Sequence, residues 1–402
     1  ITENPNRKGM LFAGTGNGFF YSLDDGTHWT QFKEGLPAAP VTWIVVAKLE
    51  HDVVISTYGR GLFVLHDITR LEQSDKTADT TATHLFAPRA GVREARSGSA
   101  EFLYRLKTVP STPPKLEVLD TAGTLIATLQ ASDRAGLNRA TWDLRYPAPE
   151  VVALRTTPPD DAHIWEETRF KGRATRPITH WGIEQAVRAA PIAAPGKYVV
   201  RLTVDGTVYS QRFEVAKDPG IPSSDADLVA STRAQRRIVA DMDSSVSMIN
   251  RIEVMRRQIE DLVRSDSAQP DVARSLTTLD GKILDVELRL LSHEDFYSDD
   301  KYYVEPFKIY LNLIWLYGEV GGGAGDVQGG AEYRPTDASM EVLAGIEHDL
   351  AATRAAFATL MDKTIPAYNK QMAGKTPAIS DKLPAVVPAG AGAGGGGGSG
   401  GG

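Results

Sequence analysis

The sequence predicts a multidomain protein with a β-rich first half and an α-helical second half, and two observations carry that prediction. Up to about residue 216, short apolar runs alternate with turns that contain glycine, proline or Asp-Gly pairs, a pattern typical of strands. After Pro222 the apolar residues recur at three- and four-residue steps instead, which indicates helices. The expected divisions are, in order, 1–70, a linker at 71–84, 85–216, 217–373 and a Gly-rich disordered tail at 374–402.

Composition predicts a soluble globular chain long enough for more than one hydrophobic core. The chain has 402 residues, of which 42% are hydrophobic and 24% charged, and its net charge is −7. This acidic balance, without a clustered basic face, argues against nucleic-acid binding. The longest apolar run, near Ile309 to Tyr317, is far shorter than the ~20 residues of a membrane span. The absence of cysteine excludes disulfides and thiolate metal sites and fits an exported or a cytosolic protein, and we expect no metal and no cofactor.

The most specific motif lies between two apolar runs of the first segment. Residues Ser22 to Trp29 read Ser-Leu-Asp-Asp-Gly-Thr-His-Trp and fit the pattern Ser-x-Asp-x-Gly-x-x-Trp. In such a turn Asp24 accepts backbone N–H groups, Gly26 takes a positive φ, and Trp29 begins the next strand and packs inward. The pattern resembles the Asp-box, which recurs once per blade in β-propellers of the sialidase and sortilin type. We therefore assign Ser22, Asp24, Gly26 and Trp29 a structural role.

The first segment is too short for a complete propeller. A propeller needs roughly four to eight blades of about 40 to 50 residues each, so residues 1–70 supply one blade or part of two. The chain also begins at Ile1 without an initiator Met or a signal-like stretch. We expect the last blade or blades of a propeller whose N-terminal portion lies in the same or a cleaved polypeptide, and this portion is the first expected partner.

The second segment, 85–216, predicts a β-sandwich. Its short strands alternate apolar and polar residues, and pairs such as Asp205-Gly206 mark hairpin turns between them. The run 195–202 resembles the late strand of an immunoglobulin or fibronectin module. A long insertion at 151–191 interrupts the strands, and loops of that length in a compact domain are either functional or ordered against a neighbour.

The third segment predicts an antiparallel bundle of four amphipathic helices. The helices are expected from the cap at 223–227 to Leu262, from about Pro270 to Leu291, from about Pro306 to Tyr317, and from Thr336 to about Ile365, with the end near Pro366. The acidic run 294–300 lacks the spacing of an EF-hand, so we expect a connecting loop rather than a calcium site.

The order of these parts resembles the C-terminal part of large bacterial sialidase-like or sortilin-like Asp-box (BNR) repeat proteins, often described as glycosyl-hydrolase-like. The stretches that carry the resemblance are 12–18, 22–29, 35–37, the run 57–65 with its Gly-Arg-Gly turn, and 334–336 before the last helix. Two positions depart from the pattern: His28 stands where Thr is common, and His66-Asp67 stands where two acids are common. The resemblance implies export to the extracellular space or the periplasm.

The resemblance leaves three functions open. Sialidases hydrolyse glycosides with an arginine cluster, a Tyr–Glu pair and an Asp drawn from many blades around the axis, and one or two blades cannot assemble that set. Asp24 does not substitute, because Asp-box turns lie at the blade periphery. We expect no catalytic residue in this chain and favour a noncatalytic exported scaffold that binds protein or glycan ligands. The alternatives are part of a sialidase-like hydrolase with its active residues upstream, and a structural subunit that self-assembles into a homo-oligomer by strand addition.

Four residues are candidate ligand contacts. Arg60 lies between two glycines, where the backbone can approach a ligand closely and the guanidinium can clamp an anion or a carbonyl; the alternative is a buried arginine that braces the blade. Trp165, His180 and Trp181, together with His163, lie in the long insertion. They could form a stacking groove for a sugar or a peptide, or they could pack the insertion onto the propeller.

Overall fold

The structure, a computed structural model, is of mixed β and α type, which confirms the coarse prediction from the sequence. It describes residues 1–74, 81–94, 97–158, 161–179, 189–265, 269–297, 305–323 and 329–382. Within those residues three β-sheets precede the long helices in the chain.

Two small antiparallel sheets form the first segment. The strands of the first sheet, in spatial order, are β1 (Thr2–Glu3), β2 (Leu11–Thr15), β3 (Gly18–Ser22) and β4 (Thr30–Phe32). Those of the second are β5 (Val41–Ala47), β6 (Asp52–Thr57) and β7 (Gly61–Leu65), and the short helix α1 (Thr69–Glu72) follows. Each sheet pairs strands that are consecutive in the chain, so each is a meander.

The two small sheets pack face to face around an apolar core. Its fully buried members are Met10, Phe12, Phe19, Val53, Ile55 and Ile68. Phe12 and Phe19 stack with 5.6 Å between their ring centroids. Where β2 meets β5, a Cβ atom on Gly14 would lie 2.6 Å from Val41 Cγ1, so only glycine allows the sheets to approach this closely.

The second segment forms a long sheet that folds back on itself. Its strands are β8 (Thr83–Leu85), β9 (Gly91–Glu94), β10 (Ser97–Leu106), β11 (Lys115–Asp120), β12 (Leu125–Leu129), β13 (Gly136–Trp142), β14 (Gly196–Val204) and β15 (Thr207–Lys217). The spatial order is β12-β11-β14-β15-β9-β10-β13, and β8 also pairs with β10. β10 joins the two halves, because residues 97–99 pair with β9 and residues 100–106 pair with β13.

Side chains from the two halves of the long sheet meet in an aromatic core. Phe102 on β10 contacts Phe213 on β15 with 5.0 Å between ring centroids, and Trp142 on β13 contacts Tyr198 on β14 at 5.5 Å. All four side chains are buried. The halves therefore enclose one core, while the immunoglobulin-like assignment stays a prediction.

The third segment is helical. Its helices are α2 (Asp225–Arg264), α3 (Pro270–Glu287), α4 (His293–Tyr297), α5 (Ile309–Val320), α6 (Asp337–Thr359) and α7 (Ile365–Gln371). The first of them begins with a capping box, in which the Ser224 hydroxyl accepts a hydrogen bond from the Asp227 N–H and the Asp227 carboxylate accepts one from the Ser224 N–H. The long α2 packs against α3, α5 and α6 around a shared apolar core.

The prediction that the last helix ends near Pro366 is wrong. A π-helical turn, Leu360–Thr364, follows α6, and Pro366 lies in the first turn of α7. Proline is tolerated there because the wider turn changes the backbone hydrogen bonding and the first residues of a helix do not need their N–H groups. The helical path therefore continues to Gln371.

Part of the expected disordered tail is also packed. Residues 374–382 lie within the described part of the chain, and Ile379 is buried in the core of the helical segment. The Asn369 side chain fixes this residue by donating to its carbonyl at 2.8 Å and accepting from its N–H at 2.9 Å. The Gly-rich remainder, 383–402, lies outside the described residues.

Arg93 connects the long sheet to the helices. Its side chain is buried, and its guanidinium donates to the carbonyls of Ala193 at 3.0 Å and Ala331 at 2.8 Å and to the Thr232 hydroxyl on α2 at 3.2 Å. Burial lowers the pKa of Arg93. One buried cation thus bonds to three parts of the chain that are far apart in sequence.

Candidate functional site

The second small sheet has an apolar face that nothing in the described residues covers. Strand alternation directs one set of side chains into the core shared with the first sheet and the other set outward. Cross-strand partners bring the outward set into two rows, Trp43–Ser56–Leu62 and Val45–Val54–Val64. Trp43 is 71% exposed and Leu62 is 73% exposed. We call the five apolar members, Trp43, Val45, Val54, Leu62 and Val64, the outer face.

A β-bulge in β5 places Trp43 on the outer face. The register of β5 shifts between Val41 and Trp43, so Val41 packs into the core while Trp43 points outward. An isolated blade is expected to expose apolar faces, but the sequence reasoning did not name the residues of this face, although a signal for them was present. Residues 43–47 of β5 are apolar at consecutive positions, and such runs are typical of strands that are buried on both faces.

The edge of the same sheet is also open. The first sheet has four strands and the second has three, and β7 pairs only with β6 among the described residues. Beside β7 lies an apolar groove of about 150 Å³, lined by side chains that include Phe32, Leu36, Phe63 and Leu65. An unpaired strand edge with an adjoining apolar groove is the geometry that accepts an added strand.

The Asp-box turn is held by local hydrogen bonds. The Ser22 hydroxyl is buried, donates to Asp24 Oδ1 at 2.9 Å and accepts from the Gly26 N–H at 2.9 Å. Asp24 Oδ1 also accepts from the His28 N–H at 2.8 Å, and Gly26 has a φ of 84°. These contacts connect only residues of the turn itself.

Two residues of the turn, His28 and Trp29, make contacts that the motif does not predict. The His28 ring, which replaces the common Thr, lies with Nδ1 2.6 Å from Asp24 Oδ2 and adds a second contact to the carboxylate. Hydrogen bonds from the His28 backbone and ring lower the pKa of Asp24 to about 2. The expectation that Trp29 packs inward is wrong: the side chain is 38% exposed and lies over Gly26, because β4 begins only at Thr30.

Arg60 is exposed at the tip of the hairpin between β6 and β7. The expected alternative, a buried arginine that braces the blade, is therefore wrong. Gly59 and Gly61 have φ values of 74° and 87°, so the two glycines serve the tight turn and leave the guanidinium in solvent. Binding of a ligand by Arg60 stays a prediction.

The other candidate ligand contacts lie in the long insertion, far from the outer face in sequence. Trp165 lies in a short 3-10 helix, Ile164–Glu166, and its ring is 5.7 Å from the guanidinium carbon of Arg176. His163 is largely exposed. His180 and Trp181 lie outside the described residues, so of the proposed groove only Trp165 and His163 are described.

A row of polar side chains on α2 binds the start of the insertion. The N–H groups of Glu150 and Ala153 donate to Asp243 Oδ1 and Asn250 Oδ1, each at 2.8 Å. Glu253 then accepts three hydrogen bonds, from the N–H groups of Arg155 and Thr156 and from the Thr156 hydroxyl. Steps of seven and three residues place these acceptors on one side of a helix. We call this row the α2 ladder.

The acidic run after α3 makes local contacts in its described part. Asp295 is buried and accepts from the Ser292 N–H at 2.7 Å, and Glu305 accepts from the His293 N–H at 2.9 Å. Residues 298–300 lie outside the described part of the chain. The expectation of a loop is wrong for residues 294–297, which lie in the short helix α4, and the carboxylates of Asp295 and Glu305 accept from backbone N–H groups next to the start of that helix.

Among the residues that the structure describes, every helix is too short or too polar to cross a membrane. No family model matches the sequence, and no curated protein matches it. Among solved structures, the crystal structure of CopC from Methylosinus trichosporium OB3b matches with 16% sequence identity and a TM-score of 0.17, and the match covers 35% of this chain and 99% of that one. A TM-score this low carries no argument about fold or function.

Proposed function

We propose that the chain is a noncatalytic exported binding or scaffold protein whose two small sheets are the last blades of a larger Asp-box β-propeller. The outer face is the observation that carries this proposal. Apolar side chains of this size are each stabilised by roughly 1.5–3 kcal/mol when they move from water into a packed interface. Five such side chains in two neighbouring rows of one sheet therefore form a contiguous apolar patch of the kind that marks an interaction surface.

The other face of the same sheet supports the proposal of a β-sheet as the partner. The inner face of the second sheet is already covered by a β-sheet, with alternating apolar side chains from both sheets in the core. The outer face presents the same residue types with the same two-residue period, so another sheet can cover it in the same way. The open edge of β7 adds a row of backbone N–H and C=O groups with which an extended strand can pair.

The proposed partner is the N-terminal portion of the same propeller. That portion would supply both missing elements, a sheet for the outer face and a fourth strand for β7. Protein or glycan ligands would then bind the completed propeller. Self-assembly of this chain is the competing use of the same surface.

The test expresses the polypeptide encoded upstream of Ile1 with its own affinity tag, together with this chain. We expect a 1:1 complex, measured by analytical ultracentrifugation after affinity purification. Leu62→Glu buries a charge in the interface and should weaken the complex by at least 100-fold. Leu49→Glu is the matched control, because Leu49 is equally exposed but lies in the turn after β5, away from the outer face.

Two outcomes would contradict the proposal. A chain that stays monomeric and does not bind the upstream polypeptide would show that the outer face is not a propeller interface. A chain that forms oligomers sensitive to Leu62→Glu but not to Leu49→Glu would favour the self-assembling subunit instead.

A further inference from the structure

Arg176 is a buried cation without a hydrogen-bond partner. Its side chain is 0% exposed, and the atoms Nε, Nη1 and Nη2 are all shielded from solvent and unbonded. Burial lowers the pKa of Arg176 to about 10, so the guanidinium is still protonated at neutral pH. A buried charge with five unused N–H donors is costly unless something supplies acceptor atoms.

The position of Arg176 is fixed by its backbone. Its N–H donates to the Leu154 carbonyl at 2.9 Å, and its carbonyl accepts from the Leu154 N–H at 2.8 Å. The next two residues along the chain from Leu154 are bound to Glu253 of the α2 ladder. These bonds connect the backbone that carries Arg176 to the segment that α2 holds.

Trp165 adds a second unpaired donor beside this cation. The guanidinium carbon lies over the indole ring at 5.7 Å from its centroid, and the indole Nε1 is also shielded from solvent and unbonded. Stacking on an indole recovers only part of the hydration that a guanidinium loses on burial. The Arg176 and Trp165 side chains carry only N–H donors, so they cannot hydrogen-bond to each other, and both need an acceptor from elsewhere.

The nearby carboxylates do not fill this need. Glu253, Asp161 and Glu167 are the acids whose charges act on Arg176, but none forms a hydrogen bond with it. Glu253 is occupied by its three bonds to the insertion, and Glu167 accepts from Arg169 Nε at 2.6 Å. The missing group is therefore an acceptor that the described chain does not supply.

We propose that Arg176 and Trp165 bind a small oxyanion of the carboxylate or phosphate type within the insertion. The planar guanidinium fork pairs with two oxygens of such a group, and the indole N–H donates to one more. This inference rests on contacts separate from the outer face, so it does not depend on the proposed propeller.

The experiment uses the full chain, dialysed extensively against chloride. Inorganic phosphate and acetate are titrated separately at constant ionic strength, which distinguishes phosphate from carboxylate recognition. We expect one of them to raise Tm in a saturable way, by roughly 5 °C at about 100 times its Kd. Ion chromatography of the denatured protein measures any anion that survives dialysis, with about one equivalent expected if binding is tight.

Three variants separate binding from folding. Arg176→Met keeps the length of the side chain without charge and should lose both the Tm response and the retained anion, while Arg176→Lys keeps the charge without the fork and should respond at least tenfold more weakly. Arg173→Met is the matched control, because Arg173 is exposed in the same insertion and should respond like wild type. A wild-type chain with neither a retained anion nor a specific Tm response overturns the proposal, as does an Arg176→Met variant that responds like wild type.

Discussion

Glu253 offers the sharpest test of how the insertion is held. Glu253→Ala leaves the N–H groups of Arg155 and Thr156 and the Thr156 hydroxyl without their acceptor, in a place where Glu253 itself is fully buried. Hydrogen bonds to a charged group contribute about 1.5–3 kcal/mol each. The summed free energy of the three hydrogen bonds is an upper limit, because the N–H and hydroxyl groups of a detached segment can hydrogen-bond to water instead. We therefore expect a cost of about 3–5 kcal/mol, the range for breaking a buried charged contact.

The cost should fall on the insertion rather than on the whole chain. Arg256, whose Nη1 lies 3.8 Å from Glu253, keeps its shorter contacts to Glu287 at 2.7 Å and Asp280 at 3.0 Å, so the helices stay paired. Hydrogen exchange of the amides at residues 155–156 measures local opening, and about 3 kcal/mol corresponds to exchange that is roughly 100-fold faster.

The control lies on the same ladder. Asp243→Ala removes a single hydrogen bond, from the Glu150 N–H, at a half-buried position. We expect a loss of about 1 kcal/mol and exchange at residues 155–156 that is close to wild type. Wild-type exchange rates at these two amides in Glu253→Ala would refute the reasoning, because they would show that the carboxylate does not hold the segment.

Three further predictions concern the small sheets. Gly14→Ala should destabilise them by about 1–3 kcal/mol in urea unfolding, because the new Cβ would lie 2.6 Å from Val41 Cγ1 and 3.1 Å from the Val41 carbonyl oxygen; unchanged stability would mean that the sheets can separate at no cost. Ser22→Ala should cost about 1 kcal/mol, because the Gly26 N–H loses its buried acceptor, and a shift below a few tenths would contradict the turn geometry. The pKa of Asp24 is lowered from 3.8 to about 2, so its contribution to stability is complete above about pH 4 and is lost as the pH falls toward 2; an NMR titration with a midpoint near 3.8 would exclude this.

Local features of the fold were readable from the sequence because their interactions span few residues. The Asp-box turn closes within Ser22 to His28, and the capping box closes within Ser224 to Asp227. The incorrect prediction that the last helix ends near Pro366 shows the limit of reading helix ends from local sequence. The π-helical turn Leu360–Thr364, just before this proline, allows it to be accommodated. Propensity alone does not register such a turn.

Long-range contacts could not be predicted in the same way. Arg176 lies in a polar, Pro-containing stretch that suggests solvent exposure, and its burial depends on Leu154 and on α2, far away in the chain. Glu253 left a partial signal, since it lies four residues after the buried Ile249 and so on the apolar stripe of α2. A charge at the edge of a buried stripe indicates a partner, but the sequence does not say which backbone segment supplies it.

The open edge of β7 discriminates between the two partners considered for the outer face. A second copy that packs its own outer face symmetrically would bury Trp43 and Leu62, yet each sheet would still have three strands and an unpaired β7. A propeller partner covers the face and also adds a strand to the edge. Hydrogen exchange therefore distinguishes the two partners. An added strand protects the backbone amides of the outer-face strands and also those amides of residues 61–65 that point away from β6. A symmetric dimer protects the outer-face strands but leaves these β7 edge amides unprotected.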